Sequence, residues 1–190
     1  MRNAFVPCLL AIVVSSLSGC DEYLLERLRD PSVDNVNLAN AAAAPATPVG
    51  SLPTGSVTYD GVVAASTAGD FVGSLYADMS MNVNFGSGGI TGTIDNADLV
   101  DDFTGDVVQN LSGSLTMTGT ENNGFVSANA TGALIGTGGL VTGTSTVGLA
   151  LLGNVRTDVA AGDTVYGVMT GGVTGDFDLT LSAGEFYGSN

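Results

Sequence analysis

The sequence predicts an all-β protein: an eight-stranded antiparallel up-and-down β-barrel, preceded by a signal peptide and a flexible linker. Three observations predict it. From residue 54 onward, apolar and polar residues alternate with period two in eight successive segments. Short stretches containing Gly, Asn or Asp separate them. Gly (28 residues), Ser, Thr and Val dominate the composition, and helix formers are scarce beyond residue 50. Closure is expected because an open meander of this kind would leave two edges with unpaired backbone groups.

Residues 1–19 read as a lipoprotein signal peptide. Arg2 supplies a basic start, and residues 4–14 form an apolar stretch too short to span a bilayer comfortably. Leu17-Ser18-Gly19-Cys20 follows, and it resembles the lipobox of bacterial lipoproteins. That resemblance implies cleavage between Gly19 and Cys20, with the Cys20 thiol receiving the lipid. Cleavage would leave 171 residues and, with Arg2 gone, a side-chain charge of −16 in place of −15. Cys8 leaves as well, so no disulfide could form. Acyl chains contribute about 0.8 kcal/mol per buried methylene, so several on one Cys hold a protein firmly to a membrane. Asp21 follows the Cys. In enteric bacteria an Asp there is associated with retention in the inner membrane, so a periplasm-facing location is an alternative to the outer membrane.

Residues 20–53 form the lipidated N-terminus and linker. The stretch 23–29 could make two helical turns with Leu24, Leu25 and Leu28 on one side, or fray, since a short lone helix is marginal in water. Residues 30–53 contain Pro31, Pro45, Pro48, Pro53 and an Ala run at 41–44. This composition predicts a linker of low order.

The barrel occupies residues 54–190. Val57, Tyr59 and Val63 alternate in the first strand. Residues 71–85 give the clearest pattern, with Phe71, Leu75, Met79, Met81, Val83 and Phe85 on one face and Ser74, Asp78, Ser80 and Asn82 on the other. Ile90 and Ile94 mark the third strand, Leu111, Leu115 and Met117 the fourth, and Val126, Ala128 and Leu134 the fifth. Val147, Leu149 and Leu151 mark the sixth, Val165, Met169 and Val173 the seventh, and Phe177, Leu179 and Leu181 the eighth. The inward face mixes Gly and Ala with Met, Leu and Phe, which predicts a packed core rather than a large ligand cavity. The same alternation would suit an integral outer-membrane barrel with its apolar face to lipid. Only eleven Phe and Tyr remain after cleavage to build aromatic girdles, and a lipid anchor would be redundant there.

Composition excludes several chemistries. The chain has no His, Lys or Trp, and its four basic residues are Arg2, Arg27, Arg29 and Arg156. It lacks the basic footprint of a nucleic-acid binder. It lacks the Lys of a Walker-type phosphate loop, the usual ligands of zinc or haem and the His of Ser-His or Cys-His pairs. No cofactor is expected.

The arrangement resembles the β-barrel domain of transferrin-binding protein B-like surface lipoproteins. The lipobox and linker before the barrel carry part of the likeness. So does the Gly/Thr-rich hairpin Val83-Asn84-Phe85-Gly86-Ser87-Gly88-Gly89-Ile90-Thr91-Gly92-Thr93-Ile94. Leu151-Leu152-Gly153 through Val165-Tyr166-Gly167-Val168 is similar to a family hairpin, with Leu-Leu where Phe-Tyr is usual. The chain ends on the last strand, at Gly184-Glu185-Phe186-Tyr187-Gly188. There is one barrel where the full receptor has two lobes with handle domains, so transferrin contacts do not carry over. The resemblance implies an outer-membrane lipoprotein at the cell surface, handled by lipoprotein export machinery, that binds or presents an external protein or small ligand.

Candidate sites are few. Asp95, Asp98, Asp101, Asp102 and Asp106 crowd one predicted loop. They could hold Ca²⁺ through hard oxygens, although they lack the EF-hand spacing, or serve as solvated surface acids. Asp176 and Asp178 are expected on one face of the eighth strand, as an exposed polar pair. Gly136-Thr137-Gly138-Gly139 predicts a hairpin turn rather than a nucleotide loop, because Val141 replaces the third Gly and no helix follows. Arg156 is expected in a loop, paired with an Asp or contacting a ligand. The expected function is a non-catalytic, lipid-anchored binding module. The alternatives are a structural envelope lipoprotein and a lipocalin-like periplasmic carrier of a small ligand.

Overall fold

The computed structural model describes residues 30–158 and 162–190. Eight strands follow in order: β1 Ser56–Gly69, β2 Gly73–Asn84, β3 Gly89–Val100, β4 Val107–Asn122, β5 Phe125–Gly136, β6 Gly143–Asp158, β7 Gly162–Gly175 and β8 Leu179–Ser189. Each pairs antiparallel with the next, and β8 pairs back with β1 to close the barrel. This is the architecture predicted by the alternation.

Register sets the girth. Starting at Tyr59, the cross-strand partners run Met81, Gly92, Met117, Ala130, Leu149, Gly171 and Leu181, and Leu181 returns to β1 at Thr67. One circuit therefore climbs eight residues along β1. Eight strands with a shear of eight is also the geometry of the TIM-barrel interior, which side chains fill. The same holds here. Tyr59, Met81, Met117, Leu151 and Phe186 are fully buried inside. The remaining internal cavity measures about 10 Å³ and is lined by apolar residues such as Val63, Leu75, Ile94, Leu115 and Leu149. That volume barely admits one water, and the lining offers it no polar partner. Gly153 and Gly167 face each other across β6 and β7. A Cβ on either would come within 2.7 Å or 2.6 Å of the Phe186 ring, so their bareness makes the seat for it.

The alternation shifts phase at bulges. On β3, Ile90 and Ile94 are buried, and then Ala97 and Leu99. Asn96, at φ 50°, absorbs the extra residue, and the register with β2 shifts there. Ala183, at φ 49°, does the same on β8, between Leu181 and Phe186. Phe71 and Phe177 were expected in strands. They lie in the β1–β2 and β7–β8 turns instead, and their rings still pack into the core.

The outer wall is largely polar. Thr91 and Thr93 on β3, Thr116 and Thr118 on β4, and Asn129 and Thr131 on β5 face solvent. A lipid-spanning barrel needs an apolar band outside, whereas this chain turns its apolar set inward. The integral outer-membrane alternative is therefore not what these strands build.

One sector of the wall differs. Val62, Tyr76, Val100 and Tyr166 point outward, yet they are buried beneath a helix, α1, Pro31–Ala43. Low order was expected over residues 30–53, and the structure corrects this from Asp30 onward. Asp30 caps α1, its carboxylate accepting from Ser32 N at 3.0 Å and Ser32 Oγ at 2.6 Å. Pro31 occupies the first helical position, where a missing N–H costs nothing. Leu38 and Ala41 are buried against the wall. Burying one Leu contributes about 2 kcal/mol, and no isolated helix of this length would persist without such contacts. Tyr76 Oη donates to Asn35 Oδ1 at 3.0 Å near the upper end of β2. At the other end, Arg156 holds the carbonyls of Ala42 and Ala44. Helix α1 thus runs down the wall, and the described chain enters at the upper rim.

Beyond α1 the chain continues as a strap along the lower end of β6. Ala46 bridges to Arg156, Thr47 N donates to Val155 O at 3.0 Å, and the hydroxyls of Thr47 and Thr157 lie 2.8 Å apart. After a 3-10 turn at Val49–Ser51, Leu52 packs against the core from the lower end.

Candidate functional site

The five carboxylates expected in one loop are divided by the fold. Asp95 and Asp98 belong to β3, on either side of the Asn96 bulge, and only Asp101, Asp102 and Asp106 lie in the β3–β4 loop. Asp98 accepts from Asn110 Nδ2 at 2.6 Å. Asp101 Oδ1 accepts from the amides of Phe103 and Thr104 at 2.8 and 3.1 Å, and Asp102 Oδ1 accepts from Ser74 Oγ at 2.6 Å. These oxygens serve loop geometry. Among the described residues, no cluster of three or more acidic, His or Cys side chains is placed to hold a metal ion.

Asp176 and Asp178 occupy the β7–β8 turn rather than a strand face. Asp176 accepts from Thr144 N at 2.8 Å, and Asp178 accepts from Gly175 N at 3.1 Å. The Gly-rich stretch after Gly136 forms the β5–β6 turn, as predicted. Its buried organiser, Gln109, carries no signal in the sequence pattern. The Gln109 side chain donates to Val141 O at 2.7 Å and accepts from Leu140 N and Val141 N.

Arg156 lies within β6, not in a loop, and among the described residues it bonds helix carbonyls rather than an Asp. Nη1 donates to Ala42 O at 2.8 Å and Ala44 O at 2.6 Å, and the guanidinium stacks 4.8 Å above the Tyr166 ring. A cation at a helix C-terminus satisfies orphan carbonyls and complements the macrodipole. Burial and the hydrogen bond it donates to Glu185 push the Tyr166 hydroxyl up to about 12, against the opposing pull of Arg156. Tyr59 is fully buried in the barrel. Its hydroxyl is buried with no hydrogen-bond partner among the described residues. Burial first, and then the charges of Asp163 and Glu121, hold it protonated.

The two ends of the barrel differ. An open groove of about 480 Å³ at the lower end runs between the strap and the β2–β3 and β4–β5 turns, past Leu52, Phe85 and Glu121. The upper rim consists of the four turns at 70–72, 101–106, 137–142 and 176–178. Phe103 is 98% exposed and Val72 79%, more than any other large apolar side chain among the described residues, and Leu140 is 55% exposed. Each tops a different turn. Asp70, Asp101, Asp102, Asp106, Asp176 and Asp178 occupy the same turns.

Cys20, Gly19, Asp21 and the 23–29 stretch lie outside the described residues. Among the described residues, no helix is long and apolar enough to cross a membrane. No family model, no curated protein and no solved structure matches the chain.

Proposed function

We propose that this chain is a non-catalytic, lipid-anchored binding module of the bacterial cell envelope. In this reading Cys20 carries the lipid, and the barrel stands at the outer-membrane surface. One combination carries it: a lipobox ending at Cys20 precedes a barrel whose interior is solid. A solid interior moves recognition to the outer wall, the rim and the lower groove. It also counts against a lipocalin-like carrier, which needs a hollow core. The absence of His and Lys from the sequence leaves only carboxylate chemistry for an enzyme. The likeness to transferrin-binding protein B-like lipoproteins supports the surface location, and the ligand is an external protein or small molecule. A structural envelope lipoprotein is the second reading, favoured by the polar, hydroxyl-rich wall on β3–β5.

The test is protease shaving of intact cells, with fatty-acid labelling of the wild type and Cys20→Ala. Labelling lost in the variant and digestion without permeabilisation are the expected results. Labelling that survives in Cys20→Ala would overturn the anchor. Protection until the outer membrane is opened would place the barrel in the periplasm and favour the structural reading.

A further inference from the structure

We propose that the upper rim is the face that rests on the lipid surface, with Phe103, Val72 and Leu140 entering the membrane interface. This inference rests on lipid attachment at Cys20. Its observations are the place where the described chain enters and the residues displayed there. Helix α1 begins at Asp30, at the rim end of the barrel, because Asn35 meets Tyr76 high on β2 while Ala42 and Ala44 meet Arg156 low on β6. Ten peptide steps separate Cys20 from Asp30, a reach of at most ~35 Å. The tether therefore joins the barrel at the rim, and α1 carries the chain a further ~20 Å away toward the lower end.

The rim is built for such a contact. Three of its four turns raise an apolar side chain into solvent, and the fourth tucks Phe177 into the core. Phe103 is held in place: Asp101 binds the amides of Phe103 and Thr104, and Gly105 N donates to Asp101 O at 2.8 Å. The tips are at the corners of an eight-stranded ring, so they can touch one plane together. The six Asp of these turns make the contact selective, because anionic headgroups would repel them. The surface that fits is zwitterionic lipid.

The chain contains no Trp, so Phe103→Trp and Phe125→Trp each introduce a single fluorophore. Phe103 is almost fully exposed, so its replacement leaves packing alone, while Phe125 reports from the lower end of β5. The full mature, lipidated protein is anchored in phosphatidylcholine vesicles whose acyl chains carry bromine quenchers. The expected result is that Phe103→Trp loses most of its emission and Phe125→Trp keeps it. Adding phosphatidylglycerol should restore part of the Phe103→Trp emission. Protein that floats with the vesicles while Phe103→Trp stays unquenched would overturn the lipid seating and leave the rim open to a protein partner. Quenching of Phe125→Trp alone would reverse the orientation. Protein that fails to float with the vesicles would overturn the anchor and the seating together.

Discussion

The barrel wall has two halves with opposite outer surfaces. Over most of β3–β5 the outward positions, among them Thr91, Thr93, Thr116, Thr118, Asn129 and Thr131, meet water, and only Val100 at the upper end of β3 joins the covered sector. On the other side, Val62 on β1, Tyr76 on β2 and Tyr166 on β7 point outward and are buried under α1. The inward pattern is the same in both halves, so the interior alone does not tell them apart. The difference teaches that apolar residues out of phase with a strand mark where another segment docks. They also explain why α1 forms at all, since its own sequence offers only Leu38 as a large buried anchor.

The comparison can be broken by mutation, and the largest effect is expected from a charge placed beneath the helix. Val62→Asp should destabilise by at least ~3 kcal/mol, since it buries an unpaired carboxylate, whereas Thr116→Asp on the bare wall should stay within about 0.5 kcal/mol. Urea denaturation of the two variants would check this, and equal effects would mean that α1 does not cover the wall. Arg156→Met should cost about 2 kcal/mol, because it removes charge-assisted bonds to Ala42 and Ala44 while keeping bulk over Tyr166. Thermal unfolding followed by circular dichroism reads that loss. Asp30→Ala should lower the melting temperature by less than Arg156→Met does, through the lost N-cap. The same cap weakens in acid, because the bonds from Ser32 hold the Asp30 carboxyl below its ordinary range and its contribution disappears as it protonates.

The smallest effect concerns Tyr166. Its hydroxyl titrates near 12 in the folded chain and near 10 when unfolded, so the folded state keeps the proton more tightly. Its contribution is full below pH 10 and is lost as pH rises from 10 through 12. Tyr166→Phe should flatten part of that decline in a pH series of denaturant melts. An unchanged slope would show that neither burial nor the Glu185 contact raises the Tyr166 hydroxyl on folding.

Much of the fold was legible because a closed barrel forces one face of every strand inward. Met79, Met81 and Val83 on β2 therefore announce themselves by spacing alone. What stayed hidden depends on single residues that break the period. Asn96 adds one residue to β3 relative to β2, and the strand runs on past it to Val100, so Asp95 and Asp98 stay in the strand and the expected five-acid loop is divided. The sequence suggested a loop for Arg156, because the strap that extends pairing at the end of β6 is contributed by residues more than a hundred positions earlier. Helix α1 had a readable signal in the pair Asp30-Pro31, a cap followed by proline at the first helical position, but four prolines and an Ala run masked it. The outward Val62, Tyr76 and Tyr166 were the second clue. Of the candidate site, the acids and the hairpin glycines were visible in the sequence. The display of Phe103 and Val72 on one rim was not, because it depends on which ends of the strands lie together.

From Asp30 onward the N-terminal segment is part of the barrel wall rather than a tether. Amide hydrogen exchange on the full mature protein tests it most directly, by comparing residues 35–43 with the neighbouring strands β7 and β8. These helix amides are expected to be protected by orders of magnitude over a free chain, and Val62→Asp to release them selectively. Exchange of residues 35–43 at the rate of an unstructured peptide, with β7 and β8 fully protected, would contradict it.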